Sequence, residues 1–572
     1  MRERRIGNTR HHAVWPPGVP HRLTLPERSV AANLEETAAR RPDAPAIHYH
    51  GRTTTYRELN AQARALAGWL RSRGVEKGDR VLLYLQNSPQ FVAAYYGILR
   101  ADAVVVPVNP MNRTAELSHL VADTGAQVAV AGQDLLDHLV PCLVQGQGQG
   151  VEQKPEQGLR DIVAVAYADA ADPGFPHPLP PPLDQPGRAD YGPGITPWAA
   201  ALAEGRVPGP IAAAPDDLAV IPYSSGSTGH PKGCMHSHRT LMVTLVGSLA
   251  WNPPRPGSEE KPTLVSLPLF HVTGMQNSMN APVFAGQPMV MMSRWDRRLA
   301  AELIARYRVG RWRSISTMAI DLVNDPEVER YDLSSLDAIG GGGAAMPEPV
   351  ARRLKALTGL DYVEGYGMSE TMAGTHINPP QAARRHCLGI PVFEVDSRIV
   401  DPETGAELPP GAVGEIVIDA PQNFLGYWNA PEATKAAFLG LDGRDFLRTG
   451  DIGTMDEAGY FYITDRLKRM INASGFKVWP TEVEAMIHDH PQVREVCITA
   501  RPDPRRGEAV LAWVVAEEGL EADALRSWCR DRMSAYKVPS DIRFLDALPR
   551  SPSGKMEWRK LQERAFADLT PS

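Results

Sequence analysis

The fold class of this chain is indicated by VLLYLQNSPQFVAAYYGILRADAVVVPV, residues 81–108. Two apolar runs, VLLYL and AVVVPV, flank the segment PQFVAAYYGILR, whose composition is typical of a helix. Because neither apolar run alternates with polar residues, the pattern predicts parallel strands that are covered by helices on both faces of a sheet. Ligands of such sheets bind at the carboxyl ends of the strands, and the site is therefore predicted at that edge.

The same rhythm continues on both sides of this stretch. Before it, Thr55 and Glu58 form a capping box at the start of a predicted helix that Gly74 ends. The apolar positions on one face of that helix are Leu59, Ala63, Leu66 and Leu70. Residues 143–210 include stretches without helical or strand periodicity, such as QGQGQGVEQKPEQG, and we predict a loop-rich insertion there.

The length of 572 residues predicts at least two domains, because a single hydrophobic core does not grow to that size. Parallel-sheet patterning continues to about residue 425. Near Asp465 the pattern changes to shorter elements, such as TEVEAMIHDH and AVLAWVVAEE. We therefore predict a large domain of residues 1–464 and a small α+β domain of residues 465–572.

Charge and composition exclude several classes of protein. The net charge is −7 without a basic stripe, so no nucleic-acid partner is expected, and small molecules are the predicted partners. Five cysteines are scattered singly, which argues against a disulfide framework and agrees with a cytoplasmic location. The basic start MRERRIGNTRHH leads into AVWPPGVP rather than an apolar segment, so it is not a secretory signal. No apolar run has transmembrane length, although an acyl substrate leaves peripheral membrane contact open.

A first glycine-rich stretch, YSSGSTGHPKG at residues 223–233, follows a predicted strand. Its glycines let backbone N–H groups approach a ligand, its hydroxyls add short donors, and Lys232 adds a positive charge. This combination suits an anionic oligophosphate, and an ordinary surface loop is the alternative. The stretch is not a Walker A loop, because Pro231 stands where that motif requires a glycine.

A second glycine-rich stretch gives an alternative from another class of enzyme. In AIGGGGAAMPEPVARRL, Gly340, Gly342 and Ala345 stand in G-x-G-x-x-A register between a predicted strand and a predicted helix. Asp361 and Glu364 follow at a distance that suits ribose binding. An NAD-dependent oxidoreductase is therefore an alternative, although four consecutive glycines satisfy such a pattern by chance.

Seven stretches in order resemble the adenylate-forming, or AMP-binding, enzyme superfamily, which includes acyl-CoA synthetases, 4-coumarate–CoA ligases, luciferases and peptide-synthetase adenylation domains. The stretches are YSSGSTGHPKG, LPLFHVTG, GGGAAMP, EGYGMSE, FLRTGD, DRLKRMINASGFKVWPTEVE and PRSPSGKMEWRKL. The resemblance covers the chain from about residue 30. It implies an α/β fold, in which an adenylating domain of parallel-sheet subdomains and a β-rich subdomain precedes a small mobile α+β domain.

The resemblance also implies an ATP site. The residues implied to hold the β- and γ-phosphates are Ser224, Ser225, Gly226, Ser227, Thr228, Gly229 and Lys232. Those implied to surround the adenosine and the α-phosphate are Gly343, Ala344, Glu364, Gly365, Tyr366, Gly367, Met368, Ser369, Asp451 and Arg466. Among them Tyr366 would stack on adenine, and Asp451 would accept hydrogen bonds from the ribose hydroxyls.

Three further residues are implied to be catalytic. Glu370 would ligate Mg²⁺, His271 would border the reacting carboxylate and the α-phosphate, and Lys555 would reach the site on the mobile domain. The residues themselves leave other readings open. Ser369 and Glu370 are equally typical of a helix start, and a lone histidine in an apolar stretch is typical of a core residue.

A second half-reaction follows from the same resemblance. The small domain would rotate about Lys468, withdraw Lys555, and bring Gly475 and Lys477 to coenzyme A. Because the chain ends soon after Lys555 without a carrier domain, free CoA is the predicted acceptor of the acyl group. A medium- or long-chain fatty acid is the predicted substrate, with an aryl or cinnamate-type acid as the alternative. The methionines that would border the acyl group are Met275, Met279, Met368 and Met372.

Overall fold

The computed structural model describes residues 6–144, 158–224, 231–342, 346–473, 476–503, 507–550 and 556–567. The chain divides into two compact units. The first unit comprises Met1–Asp396 and Asp419–Phe438, and the second comprises Ser397–Ile418 and Leu439–Ser572. The boundary predicted at residues 464 and 465 separates parts that would move relative to one another, and it stays a prediction.

The described residues form the following elements. The strands are β1 (Pro45–Tyr49), β2 (Arg52–Thr55), β3 (Arg80–Tyr84), β4 (Val104–Pro107), β5 (Val128–Gly132), β6 (Asp161–Val165), β7 (Ile195–Pro197), β8 (Leu218–Val220), β9 (Tyr223–Ser224), β10 (Lys232–Ser237), β11 (Thr263–Val265), β12 (Met289–Met291), β13 (Arg311–Ile315), β14 (Ala338–Gly342), β15 (Tyr362–Met368), β16 (Ala373–Ile377), β17 (Ile390–Pro391), β18 (Asp396–Val400), β19 (Gly414–Asp419), β20 (Gly426–Tyr427), β21 (Phe438–Leu441), β22 (Arg444–Met455), β23 (Phe461–Arg466), β24 (Ile471–Ala473), β25 (Phe476–Val478), β26 (Val493–Asp503), β27 (Gly507–Ala516) and β28 (Asp541–Phe544). The α-helices are α1 (Ala31–Arg40), α2 (Tyr56–Ser72), α3 (Pro89–Arg100), α4 (Thr114–Thr124), α5 (Leu136–Leu139), α6 (Trp198–Ala203), α7 (His238–Trp251), α8 (Ala281–Ala285), α9 (Arg297–Tyr307), α10 (Ser316–Val323), α11 (Glu348–Thr358), α12 (Pro431–Ala436), α13 (Pro480–His488), α14 (Ala522–Arg530) and α15 (Trp558–Ala567).

Two nine-stranded sheets form the first unit. One sheet has the order β17-β16-β15-β14-β13-β11-β12-β1-β2, and the other has the order β20-β10-β8-β4-β3-β5-β6-β7 with β9 beside β10. The strands of the opening stretch, β3 and β4, pair in parallel, and β3 also pairs in parallel with β5. The helix between them, α3, is buried along its whole length. The predicted parallel sheets with covering helices are therefore confirmed.

Helix α2 has the ends that the sequence predicts. The Thr55 hydroxyl accepts a hydrogen bond from the Glu58 N–H, and the Glu58 carboxylate accepts one from the Thr55 N–H, so the capping box is complete. After the last turn Gly74 has a φ of +80°, which favours glycine. The four predicted apolar positions are all buried. Within the described parts of the chain, none of the helices combines the length and apolar character needed to cross a bilayer.

The region predicted as a loop-rich insertion contains a buried strand that the sequence analysis missed. Strand β6 pairs in parallel with β5, and four of its five residues are buried. Trp198 and Leu183 are buried beside the same core. The apolar run IVAV within this strand is short and stands between segments without periodicity, so the pattern did not distinguish it from a loop. Residues 145–157 lie outside the described residues.

The second unit contains two five-stranded sheets. One has the order β18-β19-β22-β21 with β23 beside β22, and it is the β-rich part. The other has the order β25-β24-β27-β26 with β28 beside β27. Side chains of helices α13 and α14, including Val483, Ile487 and Leu525, share a buried cluster with the second sheet. This sheet with its helices confirms the small α+β part of the predicted fold class.

Candidate active site

The two described ends of the first glycine-rich stretch are paired β-strands. Strand β9 pairs antiparallel with β10, and this pairing brings Ser224 opposite Lys232 and Tyr223 opposite Gly233. The Ser224 hydroxyl donates to the Lys232 carbonyl at 3.4 Å. Lys232 begins a strand, whereas the lysine of a Walker A loop stands at the start of a helix. The predicted phosphate-binding residues Ser225, Gly226, Ser227, Thr228 and Gly229 lie outside the described residues.

The second glycine-rich stretch is a strand. A Cβ atom at Gly340 would lie 2.4 Å from the Val363 carbonyl oxygen of β15, and one at Gly341 would lie 1.8 Å from the Ser314 carbonyl oxygen of β13. Strand β14 therefore needs glycine so that its neighbours can approach. A dinucleotide fingerprint requires these glycines in the turn after a strand, so the oxidoreductase interpretation is wrong. Residues 343–345, with Gly343 and Ala344, lie outside the described residues.

Strand β15 carries the predicted adenine-binding residues Glu364, Gly365, Tyr366 and Gly367. It lies between β14 and β16, yet each of its residues is half-buried or exposed. The Tyr366 ring lies edge-to-face with the His376 ring, with 5.7 Å between their centroids. The Glu364 carboxylate accepts a hydrogen bond of 2.8 Å from the Met346 N–H, where the chain leaves the glycine run. An interior strand with no fully buried residue agrees with a cleft beside it, in which a planar ligand could lie.

A tight turn joins β15 to β16 and holds Glu370. Ser369, Glu370 and Thr371 form a short 3₁₀ helix, and Met368 rather than Ser369 occupies its N-cap position, so the alternative reading of Ser369 as a helix cap does not hold. The Thr371 hydroxyl accepts from the Met368 N–H at 3.1 Å and donates to the Ala373 carbonyl at 2.8 Å. Ala373 has a φ of +91°, which L-residues rarely adopt. Such backbone strain clusters at functional sites.

Gly367 closes this turn, and alanine there should disrupt it. A Cβ atom at Gly367 would lie 1.8 Å from the Ala373 carbonyl oxygen, whereas one at Gly374 would make only ordinary contacts, the nearest at 3.7 Å. We expect Gly367→Ala to lower the free energy of unfolding of the first unit by about 1–3 kcal/mol, as overpacking does. Gly374→Ala on the same hairpin is the matched control. Equal melting temperatures for the two variants would contradict this reading of the turn.

Glu370 lies in a cluster with Tyr427 and Lys232. The Glu370 side chain is buried, and its Oε1 accepts a 2.8 Å hydrogen bond from the Tyr427 hydroxyl. The Lys232 ammonium lies 5.2 Å from the centroid of the Tyr427 ring. Burial, and then the neighbouring Glu370 charge, raises the pKa of Tyr427 far above its usual value, so its hydroxyl stays protonated and donates. The sequence analysis missed Tyr427, whose only signal is its position in GYWNAPEAT after a strand.

Two further groups hold the backbone around Glu370. His236 Nε2 donates to the Ser369 carbonyl at 2.7 Å, and the Phe424 N–H donates to the Glu370 carbonyl at 2.8 Å. His236 is fully buried, and this burial lowers its pKa to about 4, so the ring is neutral near pH 7. The sequence analysis missed His236 also. Its signal is a histidine four residues after Lys232, in the strand that follows the phosphate-loop stretch.

His271 is exposed, so it is not the core histidine that the alternative reading predicts. It precedes a π-helix, Gly274–Asn280, an arrangement that is frequent at functional sites. Of the four methionines predicted to border the acyl group, Met275, Met279 and Met372 are fully buried in the core, and Met368 is half-buried.

The π-helix also carries a buried polar network. Asn280 Nδ2 donates to Gln276 Oε1 at 2.6 Å and to the Tyr95 hydroxyl at 3.0 Å. The Tyr96 hydroxyl donates to Asn280 Oδ1 at 2.8 Å. Burying amides costs free energy unless they are bonded, and each of these bonds offsets that cost. The network adds a polar element that the sequence analysis did not single out.

The second unit contains the remaining predicted residues. Asp451 is buried in β22 and lies directly across from Arg466 of β23. Lys468 belongs to a 3₁₀ turn, Leu467–Arg469. The backbones of Arg466, Lys468 and Lys477 are described without their side chains, and Gly475 and Lys555 lie outside the described residues.

The surroundings of the Glu370 carboxylate fit a magnesium ion that would also be bound by the phosphates of a nucleotide. Among the described residues, no three or more histidine, cysteine, aspartate or glutamate side chains converge on one metal position. Mg²⁺ is usually bound by one or two carboxylates together with phosphate oxygens and water, and does not require such a convergence. A single buried carboxylate, which contacts the same tyrosine as the phosphate-loop lysine, therefore agrees with that form of binding.

The family of AMP-binding enzymes matches residues 34–428, and its C-terminal domain matches residues 482–555. These matches cover most of the chain. The chain therefore belongs to the AMP-binding enzyme family, as the seven stretches predict.

Curated relatives and solved structures narrow the class. The chain is 34% identical over 561 residues to a long-chain-fatty-acid–CoA ligase of Bacillus subtilis (strain 168), covering 96% of this chain and 97% of the relative. It is 33% identical over 519 residues to a feruloyl-CoA synthase of Amycolatopsis sp., covering 90% and 94%. The crystal structure of ATP-bound MatB from Rhodopseudomonas palustris superposes with a TM-score of 0.80 at 27% identity, covering 95% of this chain and 100% of that chain. The predicted enzyme class is confirmed: this is an AMP-forming acyl-CoA synthetase, an acid–thiol ligase.

Proposed function

We propose that this ligase converts a medium- or long-chain fatty acid into its CoA thioester through an acyl-adenylate. The observation that carries the proposal is the 34% identity to a long-chain-fatty-acid–CoA ligase over nearly the full length of both chains. The exposed His271, shortly before a π-helix, supports a substrate carboxylate at that position.

In the first half-reaction a carboxylate oxygen attacks the α-phosphorus of ATP, and the bond to pyrophosphate breaks. Two anions must approach each other, so positive charge and hydrogen-bond donors have to surround the reacting centre. Lys232 and the serine and threonine hydroxyls of residues 224–228 would hold the β- and γ-phosphates. Tyr366 would stack on adenine, His271 would border the carboxylate, and Lys555 would stabilise the charge that develops.

Glu370 would hold Mg²⁺ together with phosphate oxygens. When bound, the ion neutralises phosphate charge and favours departure of pyrophosphate. The Glu370 carboxylate is buried and fixed by Tyr427, while its backbone is fixed by Phe424 and His236. A carboxylate held in this way needs little reorganisation when the nucleotide arrives.

In the second half-reaction the sulfur of free CoA attacks the acyl carbon, and the bond to AMP breaks. We propose that Lys468 is the hinge of the preceding domain rotation, and that Gly475 and Lys477 then contact the pantetheine. Asp451 would accept hydrogen bonds from the ribose hydroxyls, with Arg466, its register partner on β23, as its neighbour in the site.

A cytoplasmic location remains part of the proposal. All five cysteines are buried thiols rather than disulfides, which agrees with a reducing compartment. A peripheral contact with a membrane through the acyl substrate stays a prediction from the sequence.

An aryl or cinnamate-type acid is the second candidate substrate. The relative named feruloyl-CoA synthase is 33% identical over 90% of this chain, close to the value for the fatty-acid ligase.

We expect AMP and pyrophosphate, rather than ADP and phosphate, when the purified protein receives Mg-ATP, CoA and an acid. A panel of octanoate, palmitate, benzoate, 4-coumarate and ferulate separates the two candidates by kcat/KM for AMP release. Palmitate or octanoate should give the largest value. Preference for ferulate would transfer the proposal to aryl acids, and formation of ADP would contradict adenylation altogether.

A further inference from the structure

We propose that Tyr427 is a positioning residue for adenylation, whose hydroxyl holds the Glu370 carboxylate and whose ring keeps that carboxylate apart from the Lys232 ammonium. This inference rests on the proposed function, because it assumes that both charged groups serve Mg²⁺ and ATP. Tyr427 acts through Glu370 and Lys232 and touches no reacting atom in this account.

The backbone of Tyr427 is anchored on both sides. Its N–H donates to the Thr434 hydroxyl at 2.8 Å, and the following N–H, of Trp428, donates to the Gly233 carbonyl at 2.8 Å. The pairing of β20 with β10 sets Tyr427 opposite Cys234. Since Lys232 begins the same strand β10, the phenol ring and the ammonium are held by neighbouring strands of one sheet.

The position of the phenol has an electrostatic consequence. A carboxylate and an ammonium in a partly buried site attract each other strongly, and a direct ion pair would neutralise both. Within the described residues, neither Glu370 nor Lys232 forms an ion pair. Glu370 instead accepts the phenol O–H, and Lys232 lies over the ring face, where a cation is favoured. Both charges thereby remain available to a metal ion and a polyphosphate.

The first test measures ATP affinity by calorimetry on the full chain, with and without Mg²⁺. Tyr427→Phe removes the hydroxyl and keeps the ring beside Lys232. We expect the gain in ATP affinity that Mg²⁺ provides to fall roughly 10- to 100-fold, as for loss of a hydrogen bond to a charged group. Affinity for ATP without Mg²⁺ should stay at the wild-type value. Tyr84→Phe is the matched control, because it removes another buried hydroxyl, which donates to the Asn112 carbonyl at 2.7 Å.

Two further variants separate positioning from a structural role. Tyr427→Leu also removes the ring, so Lys232 and Glu370 can pair, and ATP affinity should fall even without Mg²⁺. The double variant Glu370→Gln/Tyr427→Phe should bind Mg-ATP no more weakly than Glu370→Gln alone, because Tyr427 acts through Glu370.

Several results would overturn the proposal. One is an additive loss of Mg-ATP affinity in the double variant. Another is that Tyr427→Phe loses the same ATP affinity with and without Mg²⁺, or keeps the wild-type affinity in both conditions. A third is that Tyr427→Phe fails to fold, which would reveal a structural role. The proposed function fails separately, if the wild type releases AMP with none of the acids. Calorimetry with ATP involves no acid, so the two failures are distinguishable.

Discussion

Replacement of Lys555 by alanine should lower the rate of acyl-adenylate formation about 10²–10³-fold, the loss typical of removing one preorganised electrostatic contact. The reason is the negative charge that accumulates where the carboxylate meets the α-phosphate. Pyrophosphate exchange into ATP, with saturating acid, measures this step by itself. Lys560→Ala is the matched control, since this exposed lysine on α15 pairs with Glu557 and has no proposed role.

The same variant should keep the second half-reaction. Given chemically prepared acyl-adenylate and CoA, Lys555→Ala should form thioester at the wild-type rate, because the proposed domain rotation would remove Lys555 before the thiol attacks. Lys468→Pro should show the opposite pattern, since proline fixes φ at the proposed hinge and restricts rotation. If both folded variants lose both half-reactions equally, the alternating-domain mechanism is wrong for this protein.

Local patterns were sufficient to predict much of the fold. The capping box of Thr55 and Glu58 depends on residues only three positions apart. Uninterrupted apolar runs predict the strands β3 and β4. Strand β6 escaped prediction because five residues between aperiodic segments carry too little pattern. The glycine run at β14 was ambiguous for a different reason. Whether its glycines form a turn or a close-packed strand depends on pairing with β13 and β15, which no local pattern contains.

In the candidate site, too, local patterns do not predict contacts between residues that are distant in the sequence. Glu370 and Lys232 could be proposed because each belongs to a recognisable stretch. Tyr427 and Glu370 stand 57 positions apart, and His236 and Ser369 stand 133 positions apart. Strand pairing in the folded sheets brings each of these two pairs together, so no local sequence pattern could predict the groups that fix the Glu370 turn. Burial then decides their protonation, since it keeps His236 neutral and Tyr427 protonated.

Glu370→Gln should lower the adenylation rate about a hundredfold or more, because a neutral amide is a poorer ligand for a hard cation than a carboxylate. The substitution preserves shape, and the glutamine Oε1 can still accept the Tyr427 hydroxyl, so the melting temperature should change little. Raising the Mg²⁺ concentration should restore part of the rate, since the expected defect is in metal affinity. Glu302→Gln, which alters a carboxylate beside His177 in the first unit, is the matched control.

A variant with unchanged Mg²⁺ dependence would show that Glu370 does not hold the metal. The turn around it, with a φ of +91° at Ala373, would then need another explanation for its strain. If the Mg²⁺ dependence changes as expected, one role explains the 3₁₀ turn and the hydrogen bonds from Tyr427 and Phe424. They hold a buried carboxylate, before the nucleotide arrives, in the position where a metal–phosphate complex needs it.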